Sequence, residues 1–331
     1  MPATQTLLFD MNTKQQFLAA LKPVKGKTKY KRYVGSPLRY AGGKSLAVGM
    51  IVELIPEDTR RLVSPFMGGG AVEIACANAI GMKVTGYDVF EELMTYWDVQ
   101  LSKPNELYKR MLEFKPTNEE YYRVKKIMKK QWDMTDGFGH WDSEKGKANA
   151  IKKMGKYELA ATFYFSHNAS YGPHFLGWPS SVYLDPVRYE KMILKSKNFK
   201  APNLKTACMS FEKSISKHKK DFLYCDPPYY LDGKSKMFIG MYPHRNFPIH
   251  HVGFDHEKLR DLLVKHKSGF ILSYNDCPEI REMYKDFEMI FPKWQYTFGQ
   301  GDTRIGKNRQ NGNGSHIKQS HEIIIWHHPD H

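Results

Sequence analysis

The chain has 331 residues, enough for one large α/β domain and a smaller appended one around a sizeable buried core. Its 41% hydrophobic and 14% aromatic content is that of an ordinary folded protein, and no apolar run nears the roughly eighteen residues of a bilayer span, which argues against a helical membrane protein. Lys and Arg number 50 against 35 Asp and Glu, a net charge of +15 that suits a polyanionic partner, although charge alone leaves open a merely basic soluble protein.

Residues 1–33 are polar and end in the basic run KPVKGKTKYKRY, read as a flexible or phosphate-touching arm with no assigned fold. The start, MPATQTLLFDMNTK, lacks the basic and then apolar pattern of a secretory leader, so a reducing intracellular setting is expected. Cys76, Cys208, Cys225 and Cys277 lie far apart and outside any zinc spacing, which predicts four free thiols and no metal.

From Ser36 onward, short apolar runs alternate with Gly-rich turns. RRLVSPF reads as a strand, AVEIACANAIG as a helix with Ala71, Ile74, Ala75 and Ala79 at helical spacing, and MKVTGYD as a second strand. That is a βαβ crossover whose helix stops at Gly81. Between residues 99 and 204 the alternation gives way to a Lys-, Tyr- and Trp-rich stretch with helical pieces such as NEEYYRVKKIMKKQW, read as an inserted, mostly helical domain. The α/β pattern resumes with KTACMSF, DFLYCDPPYY, the amphipathic DHEKLRDLLVKH, GFILSYN and finally HEIIIWHH. The expected division is an arm over 1–33, a catalytic domain over 34–98 and 205–331, and an insertion over 99–204.

Two turns carry chemistry. In DFLYCDPPYY a strand runs into Asp226-Pro227-Pro228-Tyr229, and two prolines cannot continue a sheet ladder, so they lock a turn at the carboxyl edge where open α/β sheets bind ligands. In Phe66-Met67-Gly68-Gly69-Gly70 the glycines permit positive φ and close backbone approach at a helix N-terminus. Asp88, ending the next strand, is placed to accept hydrogen bonds from ribose hydroxyls. The same arrangement could serve a nicotinamide dinucleotide, and a lone Asp-Pro-Pro could be a surface turn.

Taken together and in order, SPLRYAGGK (Ser36 to Lys44), VSPFMGGGAVE, VTGYD, DPPYY, ILSYNDCPEIREMY and SHIKQSHEIII resemble the Dam-like D12 class of DNA adenine methyltransferases, whose catalytic motif is DPPY. The resemblance implies an α/β fold, a Rossmann-like S-adenosylmethionine-dependent methyltransferase sheet with an inserted target-recognition domain. It implies S-adenosyl-L-methionine as cofactor, Tyr40, Lys44, Phe66, Gly68, Gly70, Asp88 and Asp226 as the residues around it, and double-stranded DNA as partner. No membrane or obligatory protein partner is implied, and whether a companion restriction endonuclease exists stays open. Many relatives carry an acidic residue after the strand preceding DPPY, where this chain has Ser210-Phe211, a departure that bears on contacts to the cofactor's adenine.

An adenine amino group has its lone pair delocalised into the ring and is a poor nucleophile. The expected catalytic set is Asp226, Pro227, Pro228 and Tyr229: the Asp226 carboxylate accepts one N6 hydrogen, the Pro227 carbonyl accepts the other, and the nitrogen turns its lone pair toward the sulfonium methyl. The target must leave the duplex, and Tyr229 is the expected stacking surface for it.

For DNA contact the expectation falls on Asn168, Ser170, Tyr171, His174 and Trp178 within TFYFSHNASYGPHFLGWPSS, and on Arg304, Lys307 and Arg309 in the Gly- and Asn-rich loop from Phe298 to Lys318. Phe163, Tyr164 and Phe165 read equally as core of a small helical domain. The rivals are N4 methylation of cytosine, which poses the same lone-pair problem, methylation of RNA or of a protein glutamine, and a catalytically silent DNA-binding module.

Overall fold

The computed structural model describes residues 13–23, 29–40, 42–132, 154–171, 177–230, 254–292 and 322–328. Seven strands form one sheet: β1 (Arg61–Ser64), β2 (Lys83–Asp88), β3 (Leu204–Cys208), β4 (Phe222–Cys225), β5 (Phe270–Asn275), β6 (Glu288–Ile290) and β7 (Glu322–His327), in the order β3-β2-β1-β4-β5-β7-β6. The first five run parallel, while β7 lies antiparallel between β5 and β6. β6 is a three-residue strand that the sequence pattern left unassigned.

The strands are apolar on both faces because both faces are covered. Leu62, Val84, Phe222, Tyr224, Ile271 and Ile324 point into one core; Val63, Leu223, Cys225, Phe270, Leu272, Ile323 and Ile325 point into the other. The second core is closed by α9 (Phe211–Lys217), α10 (His256–Val264) and α11 (Pro278–Met283). On the first face lie α1 (Thr13–Leu21), α2 (Val48–Leu54), α3 (Ala71–Ile74), α4 (Glu91–Ser102), α5 (Pro104–Met111), α6 (Asn118–Trp132), α7 (Lys156–Asn168) and α8 (Pro186–Asn198). α3 runs on into the wider π turn of Ala75–Ile80, which ends at Gly81 with φ 80°. α8 is capped by the Asp185 carboxylate, which accepts from Arg188 N at 2.9 Å.

Two expectations are corrected here. The N-terminal arm contains a docked helix: Phe17 and Leu18 of α1 pack on the first core, Leu21 is buried, and the Lys14 ammonium donates to the carbonyls of Glu53, at 3.2 Å, and Ile55 at the end of α2. The apolar positions of TKQQFLAAL are few and lie within an otherwise polar segment. The insertion, in turn, does not keep a core of its own. Its helices share the first core with the sheet, and α4 begins before the expected boundary. Tyr96 of α4 packs against Phe163 at 6.0 Å and Tyr164 at 5.9 Å between ring centroids, and Phe165 lies 4.9 Å from Phe114. Phe163, Tyr164 and Phe165 are therefore core residues, each fully buried. All four cysteines are free. Among the described residues no helix is long and apolar enough to cross a membrane.

A shared core has a measurable consequence. Phe163→Ala should cost about 3–5 kcal/mol and shift the urea midpoint of the whole molecule in one transition. A separate early transition confined to the helical segment would contradict the shared core.

Candidate active site

The sheet changes direction between β1 and β4: from β1 the chain builds outward to β2 and β3, and from β4 to β5 on the other side. Crevices form at such a switch point, outside the carboxyl ends of the strands. Three segments meet there side by side, each following directly from its strand: Asp88 at the end of β2, Ser64 and the Gly turn after β1, and Asp226 after β4.

The Gly turn is held from both sides. Met67 N donates to Tyr87 O at 2.8 Å, Gly68 N to the Asp88 carboxylate at 3.0 Å, and the Trp97 indole to Gly68 O at 2.9 Å. Gly70 sits at φ 68°, in the left-handed region, and opens α3. Gly69 is required by proximity, because a Cβ there would stand 2.7 Å from Cβ of Tyr40. Tyr40 lies over the turn and stacks on its other side against His167 of α7, 5.5 Å between centroids. Asp88 also accepts from Phe90 N at 3.1 Å, and burial raises its carboxyl above the ordinary carboxylate range. Phe66 packs against Phe211 at 5.6 Å and Phe254 at 5.7 Å, so the apolar residue at the departure noted above joins an aromatic cluster beside the turn.

At the head of Asp226-Pro227-Pro228-Tyr229, the Lys44 ammonium lies 2.7 Å from the Asp226 carboxylate and 3.8 Å from that of Glu322, and it donates to Gly42 O at 3.2 Å. Lys44 is buried. Burial pushes the Asp226 carboxyl up to about 6; Lys44 opposes that shift and Glu322 adds to it. The Tyr229 hydroxyl donates to Glu322, and its ring lies 5.1 Å below the Lys44 ammonium and 6.2 Å from Tyr274. Asn275 at the end of β5 donates to Tyr230 O at 2.7 Å and so anchors the segment after the two prolines. Tyr40, Lys44, Phe66, Gly68, Gly70, Asp88 and Asp226 thus gather along one edge.

Sequence reasoning missed two acids here. Glu322 opens the strand HEIIIWHH, and a charged residue leading a continuous apolar strand was the available signal. Glu73 of α3 is the other; it is 2% exposed. Burial raises its carboxyl to about 7, with Asp226 and Asp88 adding to the shift.

The expected base-reading residues divide. Asn168 and Ser170 are corrected: both are buried and hold the fold. The Asn168 side chain accepts from Arg39 N at 2.8 Å and donates to Pro37 O at 3.0 Å, while the Arg39 guanidinium donates to the carbonyls of Asn168 and Ser170. Arg39 also lies 3.6 Å over the Tyr183 ring. Tyr171 and Trp178 are exposed and joined by a 2.7 Å backbone hydrogen bond, with the Lys125 ammonium 5.0 Å over the Trp178 ring. His174, Arg304, Lys307 and Arg309 lie outside the described residues.

A family model for D12 class N6 adenine-specific DNA methyltransferases matches residues 40–298. The chain is 26% identical over 275 residues to the type II methyltransferase M1.LlaDCHI of Lactococcus lactis subsp. cremoris, covering 81% of this chain and 91% of that one. It is 26% identical over 208 residues to the type II methyltransferase M.FokI of Planomicrobium okeanokoites, 62% of this chain but 30% of that protein. With the type II methyltransferase M.MjaIII of Methanocaldococcus jannaschii the identity is 24% over 218 residues, 61% of this chain and 71% of that one. A solved structure described as a SAM dependent methyltransferase from Agrobacterium tumefaciens covers 83% of this chain and 57% of that one at TM-score 0.30 and 10% identity, a likeness too slight to carry weight.

The turn geometry is open to measurement. Gly70→Ala should cost more stability in urea melts than Gly81→Ala. Both put a side chain at positive φ, worth about 1–2 kcal/mol. Only the Gly70 methyl would also meet Met67 at 3.0 Å and Trp97 at 3.3 Å.

Proposed function

Because the chain belongs to the D12 class of N6 adenine-specific DNA methyltransferases, we propose that methyl transfer takes place at the carboxyl edge between β1 and β4, with Asp226 holding the target amino group. The enzyme is S-adenosylmethionine-dependent and methylates adenine in DNA at specific sites. The observation that carries the assignment of residues is the buried Lys44–Asp226 pair at the head of the Pro-Pro turn.

The residues suit the cofactor. The Gly turn leaves backbone where a Cβ would collide with Tyr40, and Asp88 keeps acceptor capacity for a ribose diol beyond its hydrogen bonds from the backbone. Asp88, Asp226 and Glu322 outnumber Lys44 along this edge, a balance that favours a ligand bearing positive charge. S-adenosylmethionine supplies an electrophilic methyl group on a sulfonium.

Lys44 occupies one oxygen of Asp226 and holds the carboxylate ionised in a site where burial works against charge. The carboxylate accepts one N6 hydrogen and the Pro227 carbonyl the other. The two acceptors set the direction of the nitrogen lone pair, and orientation supplies much of the acceleration. The Tyr229 hydroxyl is fixed on Glu322, which sets the orientation of the ring that is to stack against an extruded adenine. Double-stranded DNA is the substrate that this arrangement fits, with Tyr171 and Trp178 as aromatic contacts beside the target. His174 and the cations Arg304, Lys307 and Arg309 complete the proposed DNA contacts, and the site of action is inside the cell, wherever the target DNA resides. No obligatory protein partner is proposed; a companion restriction endonuclease would act as a separate protein.

Incubation with labelled S-adenosylmethionine and unmethylated duplex DNA, followed by nucleoside mass spectrometry, should yield N6-methyladenine. N4-methylcytosine alone would overturn the base assignment. Asp226→Ala is expected to lower single-turnover transfer by about 10²-fold or more while cofactor and DNA still bind; lost binding with an unchanged rate per complex would contradict its role. Since Asp226 must be ionised to accept, kcat/KM should fall as pH drops through about 6. Lys44→Met removes the group that lowers this pKa, so the inflection should move upward, and an unmoved inflection would argue against the pair.

A further inference from the structure

Glu73 has no part in the chemistry described so far, yet it lies at the middle of the site. It is in the first turn of α3, immediately after the Gly turn, and is 2% exposed. Its Oε1 has no hydrogen-bond partner among the described residues, and the neighbouring Ser64 hydroxyl, at the carboxyl end of β1, is the side chain that acts to lower its carboxyl. A buried carboxylate oxygen left without a partner is costly in a folded protein and asks for an explanation. The charged groups that act on Glu73 are Asp226, from the end of β4, and Asp88, from the end of β2. Both are negative, and both raise its carboxyl together with burial. On its own helix it faces the buried thiol of Cys76. What would relieve this carboxylate is a cation that also donates hydrogen bonds.

The strand order says where such a cation would come from. β1 lies between β2 and β4, so a ligand reaching from Asp88 to Asp226 crosses the end of β1, over Ser64 and beside Glu73. In S-adenosylmethionine the ribose and the sulfonium mark the two ends of that crossing, and the amino-acid chain leaves from the sulfonium. Its ammonium group is a cation with three N–H donors, whereas the sulfonium has none. We propose that Glu73, assisted by the Ser64 hydroxyl, binds the α-ammonium group of the cofactor. The assignment rests on the reading of this edge as the S-adenosylmethionine site and names a residue in it.

The test is calorimetric and needs no turnover. S-adenosylhomocysteine and the same molecule without its α-amino group are titrated into the wild-type protein and into Glu73→Gln. Wild type should bind the deaminated compound about tenfold more weakly or worse, as expected for loss of a charge-assisted hydrogen bond. In Glu73→Gln, S-adenosylhomocysteine should weaken by a similar factor while the deaminated compound is unchanged, so that the two compounds bind within about threefold of each other. Full discrimination retained by the variant would overturn the proposal. Equal binding of both compounds by the wild type would overturn it too, whatever the variant does, which keeps the test independent of how well Glu73→Gln folds. Binding of neither compound to the wild type would instead overturn the reading of the edge as the cofactor site.

Discussion

A lysine ammonium and an aspartate carboxylate held 2.7 Å apart inside a protein put a demand on everything around them. Neither charge has water enough to be stable by itself, so the pair persists only while its geometry is kept and its remaining donors and acceptors are met. Gly42 O and Glu322 meet those of Lys44, and Glu322 in turn is held by Tyr229. The result joins the N-terminal segment, the turn after β4 and the start of β7 into one electrostatic unit. The sheet supplies its rigidity, with apolar cores on both faces.

The helical insertion is built into the same unit. His167 stacks on Tyr40, which covers the Gly turn, and Arg39 binds the carbonyls that end α7. A shift of α7 would therefore be felt at the turn through two contacts. The helical segment and the Gly turn share a wall, made from Arg39, Tyr40 and the end of α7.

Much of this was legible in the amino-acid order, and for a reason. Asp226-Pro227-Pro228-Tyr229 and Phe66 to Gly70 are local devices: proline stops a strand and glycine allows a left-handed turn wherever they occur, so their positions in the fold follow from neighbouring residues. Asp88 is legible because it ends a strand. The misreadings concern residues whose environment is set by distant partners. Asn168 looked like a base reader because it is polar in an aromatic loop; its partner is Arg39, 129 positions away. Lys14 and α1 were hidden within a polar segment whose few apolar residues suffice to dock on α2. Glu322 and Glu73 looked like the ordinary surface acids of a strand end and a helix, and only the strand order shows that both point toward a site of concentrated charge.

The antiparallel β7 has a consequence for how the enzyme comes into being. It enters the sheet between β5 and β6, and the hydrogen bond it brings to Tyr229 closes a loop of 93 residues. Contacts so distant along the chain form late, since the loop entropy must be lost before the contact repays it. The nascent protein can therefore fold its Gly turn and its first βαβ unit early while its acceptor site stays unassembled. Modifying activity begins only once the chain has closed the sheet, which ties the first methylation to completed folding.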